Sequence, residues 1–367
     1  GEITKRDEAS ILQIELEEHG RLFNDDGSWV VVPEVHFSFE EMEAHALYRQ
    51  RAIDFFGKGI LQGYRLGFYQ HSGVARELIP DLLKELGAEV TLLGGSDEFI
   101  PVDTEAIREE DRQLAQKWAA TKKFDAILST DGDADRPLLA DEKGEWWSGD
   151  QLGLLATRWL GIEAIALPVS SSTAAEKSGW VRTLRTKIGS PYVIEGMERL
   201  EEEGYRAVAG YEANGGYLLQ SELLRNGKKL APLPTRDVVL PLVAVLIAAK
   251  ERGCSLSAFR KELPPRFTAS GRLKEFSSEK SRFWVDRWIQ ALGELESALA
   301  PIVKGSTLQG YNAIDGLRCK FSNGSIIHFR ASGNAPEFRC YVESGSAELS
   351  EQMLQEILQW METLRAQ

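Results

Sequence analysis

The chain has 367 residues, which at roughly 150 residues per domain predicts two to four domains and excludes a single small binding module. Its 43 lysines and arginines against 56 aspartates and glutamates give a formal net charge of −13, which argues against a nucleic-acid-binding protein because like charges repel. The content of 43% hydrophobic and 27% charged residues is typical of a folded globular protein.

The first 55 residues contain two helical patterns, over 8–19 and 39–56, without a full set of strands. We therefore expect residues 1–55 to be the C-terminal remnant of a first domain. From residue 56 onward, short β-rich runs alternate with amphipathic helical runs, which is typical of βα units on a mostly parallel sheet. A second, α/β domain is predicted over 56–150, with strands at 66–70, 89–93 and 124–129 and helices at 75–86 and 104–121.

A third domain with the same order of elements is predicted over 151–263, although the two series share too little sequence to establish a repeat. Its predicted elements are helices at 150–160, 173–179 and 191–203 and strands at 164–169, 181–186 and 206–209. A loop over 228–236 leads into a helix over 237–252. The apolar stretch 238–249 is too short to span a membrane, so it predicts a buried helix and no membrane partner.

The last domain is predicted over 264–367, after Pro264 and Pro265, as a smaller α+β unit. Its predicted elements are a helix over 278–299, strands at 319–321, 325–329 and 338–343, a loop at 331–336 and a closing helix over 347–364. The fold class is therefore tandem α/β/α domains built of βα units plus a smaller C-terminal α+β domain.

Cysteine usage and the N-terminal residues bear on location. The three cysteines, Cys254, Cys319 and Cys340, are far apart and form no CxxC pair, so neither a disulfide framework nor a zinc cluster is expected. We predict a cytoplasmic protein. The charged start, GEITKRDEAS, is unlike a signal peptide and lacks methionine, which indicates a fragment, a processed chain or a cloning scar.

The strongest motif is STDGDADR, residues 129–136, directly after the apolar run FDAIL; we call it the aspartate loop. Asp131, Asp133 and Asp135 alternate along it and converge on one point, and three carboxylates in one place favour a divalent cation such as Mg²⁺. A calcium EF-hand would place Glu142 at its twelfth position but needs glycine where Arg136 stands. An aspartate-rich turn with solvated carboxylates is the other alternative.

The second motif is GYEANGG, residues 210–216, which we call the glycine loop. It follows a predicted strand, and open α/β sheets bind ligands at the carboxyl ends of their strands. Glu212 and Asn214 are suited to hydrogen-bond vicinal sugar hydroxyls. The alternative is an ordinary β-hairpin turn, in which Gly215 and Gly216 supply positive φ before a strand over 217–220.

The third motif is RASGNAP, residues 330–336, followed by Arg339; we call it the arginine loop. Two guanidiniums, a hydroxyl and a glycine turn are suited to a phosphate dianion. The alternative is a polar turn whose arginines pair with Glu337 and Glu343. A weaker candidate is TKIGS, residues 186–190, the lysine loop, in which Lys187 either meets a phosphate or shuttles a proton, or is simply an exposed lysine.

These motifs, in this order, resemble the α-D-phosphohexomutases, a superfamily that includes phosphomannomutase/phosphoglucomutase and phosphoglucosamine mutase. The similarity spans nearly the whole chain: DGDADR resembles the family's metal loop, YEANGG its sugar loop and RASGNAPEFRCY its phosphate loop. It implies four domains around a cleft and transfer of a phosphoryl group between O1 and O6 of a hexose phosphate, through a phosphoserine and a hexose bisphosphate. Mannose and glucose phosphates are the expected substrates, with amino and N-acetyl sugars possible.

The resemblance also implies roles for individual residues. The three aspartates would hold Mg²⁺, Arg136 would lie beside the transferring phosphoryl group, and Lys187 would contact the substrate. Glu212 and Asn214 would bind O3 and O4 of the sugar. The phosphate that does not react would be held by Arg330, Ser332, Gly333, Asn334 and Arg339.

Two departures from the family pattern matter. Many members carry a serine and a histidine where this glycine loop has Asn214 and Gly216, so the general base stays unassigned. The family's serine loop does not occur in the chain, and Ser72 and Ser332 are poor substitutes for its nucleophile. We therefore expect a mutase that lacks about its first hundred residues and, as this chain alone, does not complete phosphoserine turnover. The alternative is a non-catalytic sugar-phosphate-binding or regulatory protein, or an inactive fragment.

Overall fold

The computed structural model of the chain describes residues 2–3, 5–15, 22–26, 28–31, 39–333 and 335–366. Within this part, α1 (Lys5–Ile11) and α2 (Phe39–Phe56) precede the first sheet. Helix α1 ends before the predicted helix over 8–19 does, and residues 16–19 of that prediction lie outside the described residues. Helix α2 has the predicted bounds.

The first sheet has the strand order β2-β1-β3-β4. Strands β2 and β3 run parallel to β1, and β4 pairs antiparallel with β3. Its elements are β1 (Arg65–His71), α3 (Leu78–Glu85), β2 (Glu89–Gly95), α4 (Glu109–Thr121), β3 (Ala126–Thr130) and β4 (Pro137–Ala140). Helix α4 starts five residues later than predicted because Asp103 Oδ1 accepts the backbone N–H groups of Glu105 and Ala106, which forms a turn instead.

The second sheet repeats this arrangement, in the order β6-β5-β7-β8 with β8 antiparallel. Its elements are α5 (Gly149–Leu160), β5 (Ala164–Pro168), α6 (Ala174–Ser178), β6 (Arg182–Thr186), α7 (Ser190–Glu202), β7 (Val208–Tyr211) and β8 (Tyr217–Leu219). The predicted likeness of the two units is thus present in their topology. Helix α5 begins with a capping box between Ser148 and Gln151 and ends at the left-handed Gly161, as its sequence favours.

The segment after β8 differs from the prediction. Part of the predicted loop over 228–236 is a strand, because β9 (Leu223–Arg225) and β10 (Lys228–Leu230) form a short hairpin. Helix α8 (Val239–Glu251) follows, then α9 (Leu256–Phe259) and a 3₁₀ turn, Arg260–Glu262. All residues of α8 from Val239 to Ala249 are buried, which confirms the predicted buried helix. No helix within the described residues has the length and apolar character needed to cross a membrane.

The C-terminal unit is an antiparallel sheet of order β11-β15-β14-β13-β12 with helices packed against it. Its elements are β11 (Phe267–Lys274), α10 (Ser278–Gln290), α11 (Leu292–Leu299), β12 (Leu308–Asn312), β13 (Leu317–Phe321), β14 (Ile326–Ala331), β15 (Glu337–Ser344), α12 (Ala347–Glu362) and a 3₁₀ turn, Thr363–Ala366. Strands β11 and β12 were not predicted. The single helix predicted over 278–299 is wrong, since Ala291 leaves the helical conformation at φ −132° and ψ 58°.

Two large hydrophobic cores organise these units. One is continuous through both α/β units and includes Phe68, Leu167 and the whole apolar length of α8. The other lies within the C-terminal unit, around Trp288, Phe329 and Phe338. The α/β class and the C-terminal α+β unit are therefore confirmed, and the domain boundaries at 55, 150 and 263 stay predictions.

Candidate active site

The aspartate loop connects β3 to β4, at the carboxyl end of a strand that is buried along its whole length. The loop is closed by a hydrogen bond from the Asp131 backbone N–H to the Arg136 carbonyl, 3.1 Å. Carboxylate oxygens of Asp131, Asp133 and Asp135 lie within 4.8 Å of one another. The structure thus brings the three predicted metal ligands together.

Burial and charge make the Asp131 carboxylate available to a cation. Its side chain is 1% exposed, and burial raises its pKa to about 6 against the opposing effect of Arg136. Arg136 Nε lies 2.5 Å from Asp131 Oδ2 and 3.3 Å from Asp135 Oδ1. Asp131 Oδ2 is buried, and its contact with Arg136 is an ion pair that lacks hydrogen-bond geometry. A buried oxygen without a hydrogen-bond partner, among two further carboxylates, fits a divalent cation.

The EF-hand alternative does not fit this geometry. Glu142, its twelfth residue, accepts hydrogen bonds from the backbone N–H and the hydroxyl of Ser257. Strand β4 lies between Glu142 and the aspartates, where an EF-hand would continue as one loop.

The glycine loop occupies the equivalent position in the second sheet, between β7 and β8. The predicted hairpin turn is present, with Gly215 at φ +96°, but Gly216 has no positive φ. A Cβ on Gly149, at the start of α5, would lie 2.1 Å from the Gly215 nitrogen, so the loop rests directly on that helix. The backbone of the glycine loop is therefore that of a β-hairpin turn, as the alternative predicted. The side chains of the loop can still bind a ligand.

Glu212 is buried beside an arginine that the sequence analysis did not single out. Burial raises the pKa of Glu212, and the Arg236 guanidinium, with Nε 3.1 Å from Glu212 Oε2, opposes that rise. Asn214 Oδ1 accepts the Gly216 backbone N–H at 3.0 Å, which holds the loop. Arg236 also forms an ion pair with Asp135, so it joins the glycine loop to the aspartate loop.

The arginine loop connects β14 to β15, with Arg330 and Arg339 opposite each other in register. Arg330 Nε donates to Asp315 Oδ1 at 2.9 Å, and Arg339 Nη2 donates to Glu337 Oε2 at 3.1 Å. The predicted pairing with Glu337 is thus present for Arg339, and Arg330 pairs with Asp315 instead of Glu343.

In the rest of the arginine loop, the Ser332 backbone N–H donates to the Glu337 carbonyl at 3.0 Å. Ser332 is buried, and a Cβ on Gly333 would meet no described atom within 4 Å. Asn334 lies outside the described residues.

Asp315 joins the lysine loop to the arginine loop. Its Oδ2 accepts the Ile188 backbone N–H at 3.0 Å while Oδ1 accepts from Arg330. Lys187 itself is exposed, with Nζ 5.5 Å from the centre of the Tyr192 ring. Arg236 therefore connects the aspartate loop to the glycine loop, and Asp315 connects the lysine loop to the arginine loop. Both residues contact partners that are distant in the sequence.

The cavities show which predicted residues face the same space. Arg136 and Arg339 line one cavity of about 270 Å³, together with Glu105 and Tyr341. Lys187 lines a different cavity, of about 480 Å³. Arg136 of the aspartate loop and Arg339 beyond the arginine loop thus face each other across one cavity. The three aspartates, Glu212, Asn214, Arg330 and Lys187 do not line it.

Comparison with known proteins agrees with this arrangement. The family model for phosphoglucomutase/phosphomannomutase alpha/beta/alpha domain II matches residues 53–144, and the model for domain III matches residues 148–267. A phosphomannomutase of Salmonella muenchen is 41% identical over 350 residues, covering 95% of this chain and 70% of the relative. A phosphomannomutase of Sinorhizobium fredii is 38% identical over 354 residues, covering 96% and 73%.

The fold comparison points the same way. The crystal structure of a phosphoglucomutase/phosphomannomutase family protein from Burkholderia thailandensis matches with a TM-score of 0.61 at 19% identity. The match covers 88% of this chain and 65% of that one, so the chain spans slightly less than two thirds of its length. The predicted phosphohexomutase, an isomerase, is confirmed by the relatives, and the non-catalytic alternative is not favoured. The chain belongs to the phosphoglucomutase/phosphomannomutase family of the α-D-phosphohexomutases.

Proposed function

We propose that the protein is a Mg²⁺-dependent phosphohexomutase that acts on mannose or glucose phosphate and moves the phosphoryl group between O1 and O6. The observation that carries this proposal is the cavity lined by Arg136 and Arg339, with the three-carboxylate cluster beside Arg136. A hexose phosphate that reacts at one end and is held at the other requires positive charge at both ends of its site.

In this proposal Asp131, Asp133 and Asp135 hold the magnesium ion, which supplies positive charge to the transferring phosphoryl group. Arg136 already lies against two of these carboxylates, so its guanidinium is positioned beside the same group. It donates hydrogen bonds to the phosphoryl oxygens as negative charge accumulates on them.

The remaining predicted residues bind the sugar and the second phosphate. Glu212 and Asn214 bind O3 and O4, and Lys187 contacts the substrate from the neighbouring loop. The second phosphate is held by Arg330, Ser332, Gly333, Asn334 and Arg339. Arg330 is paired with Asp315, so the phosphate shares this guanidinium with a carboxylate.

The reaction is proposed to pass through a hexose bisphosphate that reorients in the cleft, and the nucleophile stays unassigned. Ser72 is not assigned that role; its Oγ accepts the Ile100 backbone N–H at 2.8 Å and holds that turn. We also propose a cytoplasmic location; all three cysteines are free thiols, as a reducing compartment would keep them.

The substitution Asp133→Asn tests the proposal, with Asp97→Asn as a matched control at a 98% exposed aspartate. Asp133→Asn is expected to weaken Mn²⁺ binding, followed by electron paramagnetic resonance. Any turnover of hexose phosphate that the unsubstituted protein shows should fall by two orders of magnitude or more, ~3 kcal/mol of transition-state stabilisation. Calorimetric titration with mannose 6-phosphate reports binding independently of turnover. Asp97→Asn should match the unsubstituted protein in all three assays.

Each result has a clear meaning for the proposal. If the protein binds hexose phosphate, and Asp133→Asn changes neither Mn²⁺ binding nor turnover, a sugar-phosphate-binding protein is favoured. Absence of hexose phosphate binding in the unsubstituted protein would contradict the proposed substrate class.

A further inference from the structure

Arg236 lies between two of the predicted loops and contacts both. It forms ion pairs with Asp135 of the aspartate loop and with Glu212 of the glycine loop, where Nε lies 3.1 Å from Oε2. Its Nη2 donates to Ser190 Oγ, at the start of α7, at 3.0 Å. Glu2 Oε1 also faces it, 3.6 Å from Nε. One guanidinium thus faces carboxylates from three separate segments.

The contact between Arg236 and Glu212 leaves hydrogen-bonding capacity unused. Both Arg236 Nε and Glu212 Oε2 are buried without a hydrogen bond in the described part of the chain, although they lie 3.1 Å apart. The Glu212 side chain is 6% exposed. A sugar hydroxyl both donates and accepts, so two adjacent hydroxyls can bind this carboxylate and this guanidinium together and complete the hydrogen bonding that their ion pair leaves unmade.

Gly216 provides an independent observation. A Cβ at this position would lie 2.7 Å from Arg236 Cδ and 3.0 Å from Cγ. The φ of Gly216 is not positive, so the backbone there would accept any residue. What requires glycine is therefore the Arg236 side chain, which fills the space that a side chain at position 216 would use.

We propose that Arg236 is a further substrate-binding residue, which together with Glu212 binds vicinal hydroxyls of the hexose. This inference rests on the proposed function and adds to it a residue outside the predicted motifs. Its ion pair with Asp135 connects the sugar site to the metal site. A cation held by Asp135 would compete with Arg236 for that carboxylate and would leave part of the guanidinium available to the sugar.

Loss of Arg236 is expected to change the affinity for the sugar phosphate and the affinity for the cation in different directions. The guanidinium is a substrate donor, so the sugar loses a charged hydrogen bond when it is removed. It is also a positive charge beside a metal ligand, so its removal does not weaken cation binding and strengthens it modestly. If Arg236 only held the loops in place, its removal would weaken binding of the cation and of the sugar phosphate together.

The experiment compares Arg236→Gln, Arg236→Lys and Gly216→Ala, with Arg199→Gln as a control at an exposed arginine on α7. Calorimetry with mannose 6-phosphate, in excess Mg²⁺, is expected to show at least tenfold weaker binding for Arg236→Gln and Gly216→Ala, and a smaller loss for Arg236→Lys. Mn²⁺ affinity should be unchanged or up to about fivefold tighter in Arg236→Gln. Arg199→Gln should change neither affinity.

Binding of the 4-deoxy analogue of the sugar phosphate distinguishes direct contact between Arg236 and the sugar from a purely structural role of Arg236. It should bind the unsubstituted protein more weakly than the parent sugar, and the difference should largely disappear in Arg236→Gln. Equal affinity of Arg236→Gln and the unsubstituted protein for mannose 6-phosphate would overturn the inference and leave the proposed function intact.

Two further outcomes would also overturn it. Parallel losses of Mn²⁺ and sugar affinity would assign Arg236 a structural role only. Absence of sugar binding in the unsubstituted protein would overturn the proposed function and this inference with it. If Arg236→Gln does not fold, as judged by its thermal melting, Arg236→Lys and Gly216→Ala decide by the same criteria.

Discussion

At the scale of single residues, three buried polar atoms of the candidate site have no hydrogen bond within the described residues, as do other buried polar atoms elsewhere in the fold. The three are Asp131 Oδ2, Glu212 Oε2 and Arg236 Nε. Each of these atoms faces an opposite charge within 3.1 Å, which offsets part of the cost of its burial, and a ligand that supplies a further partner would complete its hydrogen bonding. The unliganded site is therefore less stable locally than the same residues would be around a cation and a sugar.

Sequence spacing identified the site residues whose partners lie close to them along the chain. Asp131, Asp133 and Asp135 lie on one loop, so alternation alone placed their carboxylates together. Arg236 could not be found this way, because its partner Asp135 is 101 residues distant in the sequence. The only local signal was a charged residue in a loop before an apolar helix, which is common in soluble proteins.

His328 gives a residue-scale prediction for pH dependence. It is buried, and burial lowers its pKa from 6.5 to about 4, while Nε2 donates to the Asp315 carbonyl at 2.7 Å. The unfolded chain therefore binds the proton more readily than the folded one. Stability from this group is complete above pH 6.5 and falls by up to about 3 kcal/mol as the pH drops towards 4.

Chemical denaturation at several pH values tests this prediction. His328→Gln keeps an amide donor near the Asp315 carbonyl but does not titrate. Its unfolding free energy should decline less steeply than that of the unsubstituted protein between pH 6.5 and 4. Identical slopes for the two proteins would contradict the assignment.

At the scale of elements, the two sheets place their loops in equivalent positions. The aspartate loop and the glycine loop each follow the third strand of a sheet and return through an antiparallel fourth strand. The first three strands of each unit were predicted, because the alternation of apolar strands with amphipathic helices is strong in both. Strand β4 was not predicted, and the strand after the glycine loop was foreseen only in the hairpin alternative. Strand β12 was not predicted, because most of its residues are exposed and carry no apolar alternation.

Gly149, the first residue of α5, provides the element-scale prediction. Gly149→Ala would place a Cβ 2.1 Å from the Gly215 nitrogen and 2.4 Å from the Ala213 carbonyl oxygen, so the glycine loop must move. We expect mannose 6-phosphate affinity to fall by at least about tenfold, since a displaced loop misplaces Glu212, while Mn²⁺ affinity is kept.

Gly161→Ala, at the other end of α5, is the control. Gly161 has φ +73°, and no described atom lies within 4 Å of the place that an alanine methyl group would take. Alanine there costs about 1 kcal/mol of stability without touching the loop. Calorimetry on both variants measures the difference. Unchanged sugar affinity in Gly149→Ala would show that the loop tolerates displacement.

At the scale of the whole molecule, Glu343 joins the C-terminal unit to the second α/β unit. Its carboxylate is buried in β15 and accepts from the Thr173 backbone N–H at 3.0 Å, the Ser172 hydroxyl at 3.3 Å and Arg266 Nε at 2.5 Å. Because each side has its own hydrophobic core, such buried polar contacts help to fix how the two cores are oriented. The cavity between Arg136 and Arg339 depends on that orientation.

Glu343→Gln is therefore expected to reduce stability by about 3 kcal/mol, because it leaves the Arg266 charge buried with fewer partners. In scanning calorimetry, the C-terminal unit should unfold earlier than the α/β units and separate from them as its own transition. The control, Glu222→Gln, removes an exposed ion pair with Lys229 and should cost less than about 1 kcal/mol. Equal melting of the two variants would contradict the role given to Glu343.

The central claim is that a divalent cation binds the aspartate loop and that a hexose phosphate binds beside it, in the cavity lined by Arg136 and Arg339. Phosphorus NMR relaxation of mannose 6-phosphate, with Mn²⁺ in place of Mg²⁺, tests this most directly because a bound paramagnetic ion relaxes only nearby nuclei. We predict strong relaxation of the sugar phosphate with the unsubstituted protein and its loss with Asp133→Asn. Binding of mannose 6-phosphate without enhanced relaxation, or enhancement that persists in Asp133→Asn, would contradict the claim.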